Sequence, residues 1–482
     1  MRLRNDFISD PYAVATTLSA KTSLKWAAAV RFVLYIALFV ILYQVFKAVE
    51  VDIIDGIRAI YNYFVYCIYN IFSRSPEYIF LLFAPALLLD TTRYYIPNML
   101  VFFVNLFKRE REEELDPNMP HPLVSVILPV YNEESKIRRT IDALLESDYP
   151  NVEIIVVDDC SSDRTALICK AYNDSGKITF LKKTERGGKP AALNYGFQFA
   201  KGEYIFHFDG EVIVFRNTIR KAIIPFKNPK VGVVSGNLKV ANDKTNFVTR
   251  LQAAEYAMCI SMGRIWLSWT NMLQIASGAF GVFRRELVER VMGTDPEVGE
   301  DSDITLKIKK LGYKVVFAAK AIAKTNVPET WHELSKQRIR WDACYVRINL
   351  RKHGNIAKFN QFKFMDFVAF VSDFILNLLF LLIFPIYIAA IAGLVPELFI
   401  FIITVTYIFY TVMNFIQFVM ASIVAGEAKR DWSFVLLSPV FFIYGLYLRL
   451  LRTTAYIWEG LRLKTFNKGY LPAKIWESQP RF

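Results

Sequence analysis

The apolar residues of this chain are gathered toward its two ends, and that feature limits what it can fold into. Residues 26–46, WAAAVRFVLYIALFVILYQVF, form a run of about the length that crosses a bilayer. Arg31 lies near one end of the run, where it can snorkel. No small-residue cleavage site follows, so the run reads as an anchor and not as a signal peptide. A second stretch, 77–107, contains Asp90 and Arg93 and reads as one tilted span or as a span plus an interfacial helix. Residues 59–72 are aromatic-rich and only about half a span long, which suits an interfacial or external segment better than a crossing. The apolar signal resumes at 366–394, 397–421 and 433–451. Three regions are therefore expected: 1–107, an N-terminal membrane region of about two spans; 108–360, a soluble domain; and 361–482, an interfacial helix, membrane helices and a basic tail.

Composition agrees with a membrane protein. Hydrophobic residues make up 54% and charged residues 21% of the 482, below the roughly 25% charged of soluble domains. Forty Phe and 25 Tyr exclude a disordered chain. Five Cys without paired spacing exclude a disulfide scaffold, and four His in no ligand spacing argue against a zinc enzyme. The net charge is 58 − 45 = +13. Arg2, Arg4, Lys21 and Lys25 precede the first span, and Lys108, Arg109 and Arg111 follow the second. Basic residues mark the cytoplasmic side, so both places, and the soluble domain, are expected in the cytoplasm of a multi-pass cell-membrane protein. Three C-terminal crossings would put the tail, with Arg462, Lys464, Lys468 and Lys474, outside. Either one of those stretches is re-entrant behind an interfacial 366–394, or there is a further crossing. No nucleic-acid partner and no nucleotide-binding module after the last span are expected.

The middle region alternates. VSVILPV (124–130), VEIIVV (152–157), ITFL (178–181) and EYIFHF (203–208) are short apolar runs. Between them lie helical patterns, with Ile137, Ile141, Leu144 and Leu145 on one face of the first. Alternation of apolar strands with helices implies a parallel sheet covered on both faces, with ligands bound beyond the strands' carboxyl ends. Those ends read PVYNEE, then Asp158-Asp159, then Asp209-Gly210-Glu211; further on come Gly299-Glu300-Asp301 and QRIRW, 337–341. Singly, each is also what a helix cap or surface loop looks like.

Together, and in this order, they resemble the inverting family 2 glycosyltransferases of GT-A fold, in particular the processive cellulose, chitin, hyaluronan and poly-N-acetylglucosamine synthases. GGKPAALNYG (187–196), SGAFGVFRRE (277–286) and VPETWHELSKQRIRW (327–341) carry the resemblance, which covers about 120–345. It implies an α/β GT-A domain, a Rossmann-like and mostly parallel sheet, inserted between transmembrane helices. It further implies elongation of a β-linked polysaccharide from a UDP-sugar and translocation of the product. The alternative is a non-processive enzyme adding one sugar to a lipid-linked acceptor. A transporter with a decayed catalytic domain is disfavoured by the intact acids and arginines.

The resemblance also distributes roles. Tyr131, Glu133 and Asp159 stand where the nucleotide binds, with Tyr131 as a platform for the base and Asp159 as acceptor for its N3–H. Lys189 follows two glycines and opens a helix, a place suited to phosphate. Asp209 and Glu211 stand in for an Asp-x-Asp metal motif, with Glu a departure, and imply Mg²⁺ or Mn²⁺. His207 falls within a strand and is expected to face the core. Asp301 is the implied base and Glu300 its companion; acids there also favour the start of the helix DITLKIKKLG. Of Arg338 and Arg340, which diverge on a helix, one is expected at the diphosphate. Trp341, Gln337 and Gly299 belong to the acceptor side. A second departure is Asp342-Ala343-Cys344, where the family has a small residue. Glucose, N-acetylglucosamine, glucuronate and mannose all remain open as donor sugars, and the oligomeric state is open too.

Overall fold

The computed structural model describes residues 53–107, 121–358, 362–426 and 432–461. The first apolar run, the basic segment at 108–111 and the basic tail from 462 lie outside these residues. The chain divides into two compact units at Leu81/Leu82. In the first, Ile53–Phe72 is one helix of 20 residues, longer than the half-span read from its aromatic part.

The second unit is built on one eight-stranded sheet: β1 (Val124–Val130), β2 (Val152–Asp158), β3 (Thr179–Lys182), β4 (Tyr204–Phe208), β5 (Ile213–Val214), β6 (Val231–Val240), β7 (Phe280–Arg284) and β8 (Lys314–Thr325). Their spatial order is β3-β2-β1-β4-β7-β6-β8-β5. β3, β2, β1 and β4 run parallel, as the alternation predicts. β7 does not: it lies antiparallel between β4 and β6, and β5 is antiparallel on the far edge. The SGAFGVFRRE segment thus holds a strand inside the sheet, reached through the helical stretch Phe247–Trp269 and entered by a tight turn at Ser277–Phe280.

β1 is buried along its whole length because both faces are covered. Val126 and Leu128 belong to one core with Ile137, Ile141 and Leu144; Ile127 belongs to the other with Ala192, Leu193 and Ile304. The first core runs on without a break into Phe418, Phe434 and Tyr444, so the sheet domain packs directly on the C-terminal helices.

Among the described residues, three helices are long and apolar enough to cross a membrane: Phe364–Leu394, Pro396–Val424 and Trp432–Leu461. The last outruns the apolar stretch ending at 451. Its final turns carry Arg452 and Glu459, which face Asp342 and Arg351 instead of surroundings that would have to solvate them. Residues 76–107 are helical throughout, with a π-helical section at Ala86–Tyr95. There Asp90 is buried against Arg449 and the Tyr410 hydroxyl, which donates at 2.7 Å, and Arg93 pairs with Asp373. These charges do not end the helix; they are compensated by other helices of the bundle.

Gly236 of β6 sits against the ring of Phe280, where a Cβ would fall 2.0 Å from Cδ1. Gly236→Ala should cost about 1–3 kcal/mol or more by overpacking, read as a lowered thermal midpoint in detergent. Gly393→Ala, with nothing within 4 Å of its Cβ, should change the midpoint little.

Candidate functional site

β2, β1 and β4 are parallel neighbours, so the residues after them collect at one sheet edge. Lys189, at the start of the Lys189–Phe197 helix, is the hub. Its Nζ lies 2.6 Å from Asp209 Oδ1 and 3.2 Å from Glu300 Oε1, and it donates to the Gly278 carbonyl at 2.9 Å. The Gly278 N–H donates to Asp301 Oδ2 at 2.8 Å, and the Ser302 N–H donates to Oδ1 at 2.8 Å. Lys189, Asp209, Glu300 and Asp301 are therefore assembled around one glycine. A Cβ on Gly278 would lie 2.9 Å from Asp301 Oδ2 and 3.2 Å from Lys189 Nζ. Burial raises the Asp301 carboxyl to about 6, with the neighbouring Glu300 charge adding and Lys189 opposing. A carboxylate tuned this way can take a proton near neutral pH. His207 is buried in β4, its Nε2 unpartnered, and burial together with Lys189 keeps it neutral.

Beside this cluster, Tyr131 is partly exposed and carries the Arg186 guanidinium 4.0 Å from its ring centroid. Asp159 is buried; its carboxylate accepts from the amides of Gly187 at 2.8 Å and Gly188 at 2.7 Å, and it pairs with Lys183. The sequence reading set those amides against phosphate and Asp159 against a base; here they hold each other and fix the turn that launches Lys189. Glu211 turns away from Asp209: Lys136 Nζ lies 2.5 Å from its Oε2, and the Thr325 hydroxyl donates to its Oε1 at 3.3 Å. Lys136 also stands 4.0 Å from Glu133. Burial pushes Glu133 up to about 7; Lys136 opposes this, and Glu211 and Asp209 add to it. All three carboxylates are hard oxygen donors, but among the described residues they do not gather closely enough to hold one cation as they stand.

The helix Trp331–Tyr345 is capped by Thr330, whose hydroxyl accepts from the Glu333 amide at 3.2 Å. Arg338 does not turn to the strand ends. Its fork closes on Glu255, at 2.6 and 2.9 Å, and its guanidinium lies 4.7 Å from the ring centroid of Trp341, which is 42% exposed. Residues i and i+3 share a helix face and i and i+2 do not. Gln337 and Arg340 accordingly line a separate cavity of about 550 Å³, which Val298 also borders just ahead of Glu300. Gly299, at φ +94°, is packed under the helix: a Cβ would meet Cys344 Cβ at 3.3 Å. Its bareness serves close packing. Asp342 pairs with Arg452 at 2.9 Å, which accounts for an acid in that place.

Residues 125–292 match the family described as glycosyl transferase family 2. This region is a family 2 glycosyltransferase domain. The chain is 31% identical over 220 residues to a poly-beta-1,6-N-acetyl-D-glucosamine synthase of Staphylococcus epidermidis, covering 45% of this chain and 53% of the synthase. It is 33% identical over 281 residues to the probable glycosyltransferase YdaM of Bacillus subtilis, covering 56% and 64% respectively. The chain thus spans between half and two thirds of these relatives. A mannosyltransferase structure from Pyrobaculum calidifontis, solved with GDP-Man and Mn²⁺, superposes with a TM-score of 0.52 at 24% identity. It covers 73% of this chain and 99% of the other, and agrees with a GT-A fold.

Just beyond the matched region, Asp295, Glu297 and Asp303 also gather closely enough to suggest a metal site. Lys352 reaches all three, Lys307 lies 2.5 Å from Asp295 and 3.1 Å from Asp303, and His353 is 2.8 Å from Asp303. Ammonium groups already occupy that centre, so it is an ionic knot that anchors the loop leading to Glu300. Sequence reasoning missed Gly278, Lys136, Lys183, Arg186 and Glu255. Gly278 left a signal as part of SGAFGVFRRE, and Glu255 as a lone acid within LQAAEYAM.

Gly278→Ala should displace Asp301 or Lys189 by the better part of an ångström. Transfer should fall about 10²-fold with little change in thermal midpoint, since misplacement by about 1 Å costs that much. Nucleotide release and melting on the same preparation check it.

Proposed function

We propose that the chain is a processive, inverting synthase that elongates a β-linked polysaccharide from a UDP-sugar and passes it through its own membrane helices. The observation that carries the chemistry is the raised, half-buried Asp301, held by the Gly278 amide beside Lys189, Asp209 and Glu300. The acceptor hydroxyl gives its proton to Asp301 as its oxygen attacks the anomeric carbon. The bond from that carbon to the diphosphate oxygen breaks, and the nucleoside diphosphate leaves with the electron pair. One carboxylate suffices, since inversion forms no sugar–enzyme bond.

Tyr131, whose ring now carries the Arg186 guanidinium, offers a flat face for the base beside the turn that Asp159 holds. Glu300 orients the acceptor or the base. Asp209 and Glu211, held apart here by Lys189 and Lys136, would have to turn together to hold Mg²⁺ or Mn²⁺, which when bound would offset the charge of the diphosphate. With Arg338 closed on Glu255, Arg340 is the signature arginine assigned to the diphosphate side. Trp341 offers its indole face to the acceptor sugar.

The polymer reading is supported by the names of the staphylococcal relatives and by a cavity of about 480 Å³ among the apolar helices, lined by Glu255, Tyr410, Asn414, Gln417 and Tyr444. Asp90, Arg93, Asp373 and Arg449 also line it, in pairs that cancel, so its mainly apolar and aromatic walls carry polar groups without a net charge, as an uncharged sugar chain would need. The basic flanks favour a multi-pass protein with the catalytic domain in the cytoplasm. The full chain in proteoliposomes, given a panel of UDP-sugars headed by UDP-N-acetylglucosamine, should release UDP and make long polymer. A product limited to one sugar on lipid would replace this reading with single transfer.

Asp301→Asn should lower turnover by about 10²–10⁴ while UDP affinity stays within a few fold, because the amide keeps the shape but cannot accept the proton. In the wild type, turnover should fall as pH drops through about 6, where a base raised to that value becomes protonated. A profile flat down to pH 4 would count against Asp301.

Chelator should abolish transfer, and Mg²⁺ or Mn²⁺ should restore it, with Glu211→Asp shifting the preference between them. Full turnover in chelator would remove the role given to Asp209 and Glu211.

A further inference from the structure

We propose that Glu255 is a positioning residue for the acceptor, holding Arg338 against Trp341 and joining that platform to the membrane helix Ser438–Leu461 through Tyr444. The proposal rests on the reading of Trp341 as the surface that carries the growing end.

Glu255 ends the helix Phe247–Glu255, outside every motif that marks the domain. Both its oxygens are used. Oε1 accepts from Arg338 Nη1 at 2.6 Å, and Oε2 accepts from Arg338 Nη2 at 2.9 Å and from the Tyr444 hydroxyl at 2.7 Å. The pair is largely buried, at 11% and 12% side-chain exposure. A bidentate fork fixes the plane of the guanidinium as well as its place. That plane is what lies 4.7 Å from the Trp341 ring centroid. An exposed indole on a helix has two torsions to choose from; a cation locked against it reduces that choice.

The linkage extends past one ion pair. Trp331, on the same helix as Trp341, packs edge-on against Tyr447 at 5.1 Å, and the Ser335 and Tyr447 hydroxyls are 2.5 Å apart. Glu255 also lines the cavity among the apolar helices. The acceptor platform, the cavity mouth and the last membrane helix therefore share one set of contacts. Glu255 touches neither the base nor the strand-end cluster, so its loss should alter how the chain end is held and not how the donor is bound.

The test uses the full chain in proteoliposomes. Glu255→Gln keeps the shape but gives the fork a neutral partner. It should raise KM for an added oligosaccharide acceptor about tenfold and shorten the polymer by a similar factor, with kcat at saturating acceptor and UDP affinity within about twofold. Glu255→Asp should recover part of the length. Tyr444→Phe, which keeps the ring packing, should fold normally and shorten the polymer about twofold to threefold. Trp341→Ala is the control for the underlying reading. If it leaves polymer length unchanged, the platform reading fails. If it shortens the polymer while Glu255→Gln and Tyr444→Phe leave length and acceptor KM unchanged, only the role of Glu255 is overturned. Equal losses in UDP affinity and acceptor KM would likewise overturn it, as the mark of a merely structural residue.

Discussion

Every carboxylate that the sheet delivers to its edge must be compensated, because an acid in a half-buried cleft without a partner costs several kcal/mol. Three lysines meet that need. Lys189 stands between Asp209 and Glu300, Lys136 between Glu211 and Glu133, and Lys183 on Asp159. All three come from the stretches that follow strands, so the crossovers that build the parallel half of the sheet also supply the charges that make its edge tolerable.

The same rule governs the bundle. Charged side chains among apolar helices are retained only in pairs. Asp90 with Arg449 and Arg93 with Asp373 tie the helix of residues 96–107 and its π-helical preface to the C-terminal helices. Asp342 with Arg452, Arg351 with Glu459 and the Tyr444 bond to Glu255 tie the signature helix to the last one. The sheet domain and the bundle consequently share one core, and the helix that carries Trp341 lies where the two meet.

Much of this was legible locally. A strand whose residues are all apolar can only sit in a sheet covered on both sides, and acids placed after such strands can only emerge at its edge. Asp209, Glu300, Asp301 and Lys189 were found on that ground together with the family resemblance, and the structure gathers them. The apolar stretches near the C-terminus were read from length and hydropathy alone, and their lower limits hold.

What the sequence could not show are relations between distant residues. Arg338 and Glu255 are 83 positions apart, and nothing near either one says that the fork closes there and not on a diphosphate. The antiparallel course of β7 depends on the turn before it and on two neighbours contributed by other parts of the chain. Gly278 matters because Asp301 and Lys189 approach it from opposite sides. The length of the last helix depends on acids and bases elsewhere that accept its charges. Backbone pattern and strand-end chemistry are properties of a few consecutive residues and were set by the sequence itself. Which charge answers which, and how closely two backbones pass, is a matter of geometry across the fold, and only the tertiary structure decides it.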